Sequence, residues 1–429
     1  MKRYFLAIAM LAALACPWQA RGGENITLRF SWWGGSARHE ATLAVIKMFE
    51  EQNPGVTIKG EYMGWNGYLE RLTTQISGSS EPDIMQMDWA WLALFSKRGD
   101  GFYNLSNLGQ DIVNTAAYDQ KWLDQATVDG KLNALPVSFT TQFFLWNKTI
   151  FDKAGAAIPK TWDDFIAAGE TLKEKLGDDY YANDMNRNQT IYMTHTWIFQ
   201  KTGRMYINPE TNKIDLSVDE IEDWMKFYLK LNESHALVPL DVRASRSGDS
   251  NSLTQEQPDF VEGHWAGSYT WDSSIGITLS TPPKEFEFVL GEYLTMPDAK
   301  STGRIGRPAQ IMAVSKNSKH PEMAAKFISF MLTSPEAARV LKTTRGVLIA
   351  KPSYEELVSN DLVDPIMQEA VDQIADIRVY NPSPYYEDPR MLKLLNDTIE
   401  EVAYKKISPR EGAETLHREG ERILRRLNR

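Results

Sequence analysis

The chain has 429 residues, with 47 Lys and Arg against 57 Asp and Glu, a net charge of -10 and a hydrophobic content of 42%. That acidity argues against nucleic acid or an anionic membrane as the main partner, and the length exceeds the roughly 250–300 residues that one hydrophobic core supports, so two domains are expected. One cysteine, Cys16, and six histidines leave little for thiol catalysis or a metal, and no metal or cofactor is expected.

Lys2 and Arg3 precede an apolar run from Tyr4 to Ala15. That run has the length of a signal core and falls short of the roughly 20 residues of a membrane span. A small-residue site at Ala20-Arg21-Gly22 predicts export with removal of residues 1–22, which takes three positive charges away and leaves about -13. Ala13-Leu14-Ala15-Cys16 offers a lipid-anchored form as the alternative.

Next comes a strand–helix–strand unit. Ile26, Leu28 and Phe30 alternate as in a strand, and a helix begins near His39 with Ala41, Ala44, Val45, Met48 and Phe49 on one face. Asn53-Pro54-Gly55 stops it; Val56 to Gly60 is a second strand, Tyr68 to Ile76 a second helix and Pro82 to Met87 a third strand. This order predicts a doubly wound, mainly parallel sheet with ligand beyond the strand carboxyl ends. Ala134 to Trp146 carries the chain toward a second lobe. Thr161 and Asp164 form a capping box, and helices follow over 191–201 and 218–231. Residues 243–258 read as a surface loop, and 311–314 as a strand. Ala324, Phe327, Ile328, Met331 and Leu332 form a second helical stripe, Ser334-Pro335 opens another helix, and from Tyr354 the chain is helical and charged.

Tryptophan recurs beside turn-forming residues: Trp32-Trp33-Gly34-Gly35-Ser36, Gly64-Trp65-Asn66-Gly67, Asp88-Trp89-Ala90-Trp91 and Trp271-Asp272-Ser273-Ser274. A flat apolar face beside hydroxyl and amide groups suits a pyranose ring. Any single one of these rings could equally plug the core; together, at strand ends, they point to a cleft.

These features resemble the extracellular solute-binding proteins of ATP-binding-cassette sugar importers, the family that includes maltose-binding protein. The marks are Phe30-Ser31-Trp32-Trp33-Gly34, Phe49-Glu50-Glu51-Gln52-Asn53-Pro54-Gly55-Val56, Pro82-Asp83-Ile84, Leu145-Trp146-Asn147-Lys148, Pro159-Lys160-Thr161-Trp162-Asp163-Asp164-Phe165 and Ala324-Ala325-Lys326-Phe327-Ile328. More narrowly, Ser31 to Trp91 is similar to periplasmic oligogalacturonide-binding proteins. The resemblance implies two α/β lobes, 23–135 plus 302–350 and 136–301 plus 351–429, closing on ligand between them. It also implies a periplasmic monomer that delivers short pectin fragments to the permease subunits of an ABC importer in the inner membrane. Trp146 stands where relatives have tyrosine and receives no ligand role.

For such a ligand, Trp33, Trp65, Trp89 and Trp271 are expected to stack on sugar rings. Ser36, Asn66, Asp88, Gln142, Asp272, Ser273 and Ser274 would meet hydroxyls. A galacturonide carries a carboxylate on every ring, and guanidinium forks bind carboxylates well. Arg38 and Arg307 are the favoured cations, followed by Lys201, Arg204 and Arg304, with His39 nearby. The alternatives are a binder of neutral oligosaccharides on the same fold, and a secreted glycosidase or pectin lyase. No catalytic motif marks out either enzyme.

Overall fold

The computed structural model describes residues 25–375 and 379–428; the expected leader over 1–22, with Cys16, lies outside them. Strand β1 (Ile26–Trp33) runs between β2 (Val56–Met63) and β3 (Ile84–Met87), parallel to both. The register sets Phe30 beside Gly60, where a Cβ would lie 2.7 Å from the Trp32 ring; glycine is what lets that indole lie against the strand. Helix α1 (Ser36–Gln52) starts three residues before His39, and α2 (Tyr68–Ser77) follows β2. The buried face of α1 is Thr42, Val45, Ile46 and Phe49, and Ala44 is exposed. The expected face is turned by one residue because Thr42 is buried as a satisfied polar group, its hydroxyl donating to the Arg38 carbonyl at 2.6 Å.

The sheet is completed by β4 (Ala134–Asn147), β5 (Gly267–Trp271), β6 (Phe288–Leu290) and β7 (Gly306–Val314), in the order β2-β1-β3-β7-β4-β5 with β6 on the end of β4. These later pairings are antiparallel. Every residue of β4 is buried. Its first half pairs with β7, from Ala134 opposite Ala313 to Thr141 opposite Gly306; its second half pairs with β5, from Gln142 opposite Trp271 to Trp146 opposite Gly267.

Two hydrophobic cores sit on either side of that handover. The first joins Leu28, Phe30, Phe49, Ile84 and Met312 with Phe327, Ile328, Met331 and Leu332 of α6 (Pro321–Thr333). The second joins Phe144 and Trp146 with α3 (Trp162–Leu176), α4 (Arg187–Thr202), α5 (Val218–Glu233) and the last two helices, α7 (Pro389–Ala403) and α8 (Pro409–Leu427). The molecule is thus a two-lobed α/β protein. Leu357, beyond the expected boundary at residue 350, packs in the first core, so the chain stays with the first lobe past that point.

Local signals hold at the helix starts. Thr161 Oγ1 accepts from the Asp164 amide at 3.1 Å while Asp164 accepts from the Thr161 amide at 2.9 Å, and Ser334 accepts from the Ala337 amide. The expected loop over 243–258 is corrected: residues 240–247 are helical, and Arg243 is fully buried against Asp184, Nε to Oδ1 at 2.8 Å. A polar local composition concealed a partner 59 positions away in sequence.

Asp272, expected at a sugar hydroxyl, is a strand-end lock. It accepts from Thr140 Oγ1 at 2.5 Å and from the Ser273 amide at 2.8 Å, tying the loop after β5 to β4. Burial pushes its carboxyl up to about 7, against the pull of those hydrogen bonds. An acid that holds its proton more tightly when folded stabilises the fold at low pH, and that contribution is lost as pH rises through about 7. The melting temperature of Asp272→Asn, neutral throughout, should exceed that of the parent by a margin that grows from pH 4 to pH 8. A margin that does not change with pH counts against the raised value. Thr161→Ala should cost about 1 kcal/mol in urea unfolding with an unchanged slope.

Candidate functional site

The ends of β1 and β2 and the start of α1 face the start of α4 and the end of β5 across a cavity of about 890 Å³. The first lobe contributes Trp33, Trp65, the segment Gly34 to Arg38, and Thr343-Thr344; the second contributes Asn186, Asn188, Gln189, Tyr192, Trp271, Ser273, Ser274 and residues 253–255 and 276–278. Gln142 reaches it from the shared strand β4, and Thr270 from β5 of the second lobe.

Aromatic packing sets up the first-lobe wall. Trp33, only 8% exposed, packs against Tyr68 and Trp91, and Trp65 stacks on Trp91 at 5.6 Å with 21° between rings. Trp65 remains 52% exposed, so a face supported from behind looks outward at the cavity rim. On the second lobe Trp271 meets Tyr192 edge-on at 5.5 Å. The wall therefore holds indole surface from both lobes beside the amides of Gln142, Asn186, Asn188 and Gln189.

The charged groups divide by how they are partnered. Arg38 crosses Gly34, where a Cβ would sit 2.5 Å from its Cδ. Its Nε donates to the Thr344 carbonyl at 2.8 Å and its Nη1 to the Trp33 carbonyl at 3.1 Å; among the described residues no carboxylate pairs with it. Burial lowers its pKa to about 10, a cost that a bound anion would remove. The positive end of α1 adds to this, since Gly35 caps it with no side chain and no acid stands in its first turn.

Arg307 is the reverse case and corrects its expected role. It is 7% exposed and forks onto Glu387 with two bonds of 2.6 Å, and a third contact reaches Asp88 at 3.4 Å. Breaking a buried pair costs about 3–5 kcal/mol, more than the about 1.5–3 kcal/mol of one charge-assisted hydrogen bond to a ligand. Arg307 and Asp88 thus form a cross-lobe tie with Glu387. Burial raises the Asp88 carboxyl above its usual range although Arg307 opposes the shift.

Other expected ligand residues fall away from the cavity. Lys201 pairs with Asp223 at 2.7 Å over the Trp197 ring, and exposed Arg204 pairs with Glu220. Both satisfy neighbours on the surface of the second lobe. Arg304 is buried with its guanidinium 4.3 Å from the Tyr293 ring. Trp89 donates to the Gln125 carbonyl at 2.7 Å, which turns it into the first lobe. His39 accepts from Trp32 Nε1 at 3.0 Å and packs on Tyr62, and Trp32 itself is core. Asn66 is exposed in the turn after Trp65 and does not line the cavity. Trp33, Ser36, Arg38, Trp65, Gln142, Trp271, Ser273 and Ser274 do line it. Sequence reading missed Asn186, Asn188, Gln189 and Tyr192. Their one local signal is the Asn186–Gln189 capping box, which places the start of α4 at the wall.

The family model for bacterial extracellular solute-binding proteins matches residues 35–338. The structure is similar to that of a periplasmic oligogalacturonide binding protein from Yersinia enterocolitica in complex with saturated digalacturonic acid, with a TM-score of 0.87 at 36% identity over 94% of this chain and 100% of that one. A diacetylchitobiose binding protein of Streptomyces coelicolor is 25% identical over 346 residues, 79% of this chain and 75% of the relative. A binding protein of Brucella abortus is 32% identical over 142 residues, so the chain matches only about a third (33%) of that relative's length. With two lobes, a cleft between them and a family match over most of its length, the chain belongs to the bacterial extracellular solute-binding proteins.

Proposed function

We propose that the protein is the exported capture component of an ABC importer and that its ligand is a short oligogalacturonide. The observation that carries this reading is the pairing of indole surfaces from both lobes with Arg38, a cation that lines the cavity and has carbonyl partners only. Neutral sugars need stacking faces and amides. An uncompensated, partly desolvated guanidinium is a cost unless the ligand brings an anion. The digalacturonic acid complex of the Yersinia relative supports the same ligand class.

Capture then proceeds by closure. A uronide ring rests on Trp33 and Trp65, its carboxylate meets Arg38 and the amides that open α1, and the second lobe brings Trp271, Asn186 and Gln189 to the remaining hydroxyls. The Arg307–Glu387–Asp88 tie spans the lobes as they meet. The closed form docks on a membrane permease, and the ligand leaves unaltered. A neutral oligosaccharide is the second reading, favoured by the amide-rich second-lobe wall and by the diacetylchitobiose relative.

Calorimetric titration of the protein without residues 1–22 tests both. Digalacturonate and trigalacturonate should bind one to one with a Kd on the order of 1 μM, about -8 kcal/mol, with no new reducing ends over hours. Tighter binding of galactobiose or maltotriose would keep the capture role and discard the acidic ligand, and product formation would make the protein an enzyme. Arg38→Ala should weaken digalacturonate by roughly 10–100-fold, the equivalent of about 1.5–3 kcal/mol, and leave neutral sugars unchanged. Trp65→Ala should weaken acidic and neutral ligands alike, by about 0.5–1.5 kcal/mol.

A further inference from the structure

Arg345 lies behind the cavity wall. It is 1% exposed, and its partners are neutral: Nε donates to Gln86 Oε1 at 2.9 Å and Nη2 to Thr42 Oγ1 at 2.7 Å. Its Nη1 is buried with no hydrogen-bond partner, and among the described residues no carboxylate pairs with it. Two other arginines are as deeply buried: Arg243 is paired with Asp184, and Arg304 lies over the rings of Phe143 and Tyr293, so that among these three Arg345 alone packs behind the cavity wall with neutral hydrogen-bond partners and no aromatic face.

The surroundings tie Arg345 to Arg38. Thr42, which accepts from Arg345, donates to the Arg38 carbonyl at 2.6 Å. Arg38 Nε in turn donates to the carbonyl of Thr344, the residue before Arg345. Gln86, the other acceptor, donates from its amide to the Trp33 carbonyl at 3.2 Å, the same oxygen that takes the Arg38 Nη1 bond. The two arginines thus close a ring of hydrogen bonds beneath Trp33, Gly34 and Thr344, all of which line the cavity. Burial holds the Arg345 guanidinium well below its usual range, and the nearby Arg38 charge lowers it further.

We propose that Arg345 is a specificity-determining positioning residue: it holds Arg38 in place and supplies a second uncompensated positive charge, so that the cavity is completed by a carboxylate. This rests on the oligogalacturonide reading. Arg345 need not touch the ligand; in a water-poor interior its field reaches past Arg38, and the ligand's anion offsets both cations. A purely structural arginine would stabilise the empty protein. This one weakens it in exchange for discrimination between acidic and neutral sugars.

The test compares the parent, Arg345→Gln and Arg345→Lys by titration with digalacturonate and galactobiose and by melting of the ligand-free protein. Arg345→Gln keeps a hydrogen-bond donor and loses the charge. It should bind digalacturonate at least about tenfold more weakly, keep any galactobiose affinity within about threefold, and melt no lower than the parent without ligand. Arg345→Lys should stay within about threefold of the parent on digalacturonate, which keeps the proposal testable if the glutamine variant does not fold. Parent-like digalacturonate affinity in Arg345→Gln would overturn this inference while leaving the ligand reading intact. So would an equal loss in Arg345→Lys. A parent that ignores digalacturonate and binds galactobiose would overturn both.

Discussion

One buried strand governs this molecule. β4 spends its first half as a partner of β7 in the first lobe and its second half as a partner of β5 in the second. All its residues are buried, so its backbone groups must be paired on both sides of the handover. The place where its partners change, around Thr141 and Gln142, is where the two cores separate and the cavity begins. The loops after β1, β2 and β5 are carried to that junction because each leaves its strand there. A ligand between them contacts both lobes through elements anchored in one sheet.

The second organising constraint is the cost of buried charge. Arg243 is paired with Asp184, and Arg307 with Glu387 and Asp88; these are closed accounts, and they hold structure. Arg38 and Arg345 meet only neutral acceptors. The distinction is invisible in composition, since an acidic chain has carboxylates to spare. It arises from which strand end and which loop each arginine occupies. An acidic protein can in this way keep positive charge without a carboxylate partner at and behind the wall of its cavity.

Aromatic residues divide along similar lines. Trp32 and Trp33 are adjacent in sequence and point to opposite faces of β1, as strand geometry requires. One packs on Tyr62 in the first core and the other reaches the cavity wall. Trp89 is spent on a hydrogen bond to the Gln125 carbonyl, while Trp91 backs Trp65 and leaves it half exposed. The exposed face of Trp65 therefore depends on a buried residue that does not line the cavity.

The order of strands and helices, the capping box at Thr161, the stripe over Ala324 to Leu332 and the family motifs were all legible in the sequence. They rest on periodicity and on contacts within a few residues. So were Trp33, Arg38, Trp65 and Trp271 as cavity residues, because strand ends in this architecture face the cleft. What only the tertiary structure decided is which charges are neutralised, which way α1 turns its face and which distant segments complete the wall. The partner of Arg307 is 80 positions away, the acceptors of Arg345 are 259 and 303 positions away, and the start of α4 faces, across the cavity, a loop more than 140 residues before it. Local pattern carries no information about such pairs. They are set by packing two lobes around one strand, which brings a buried charge such as Arg307 to carboxylates far along the chain.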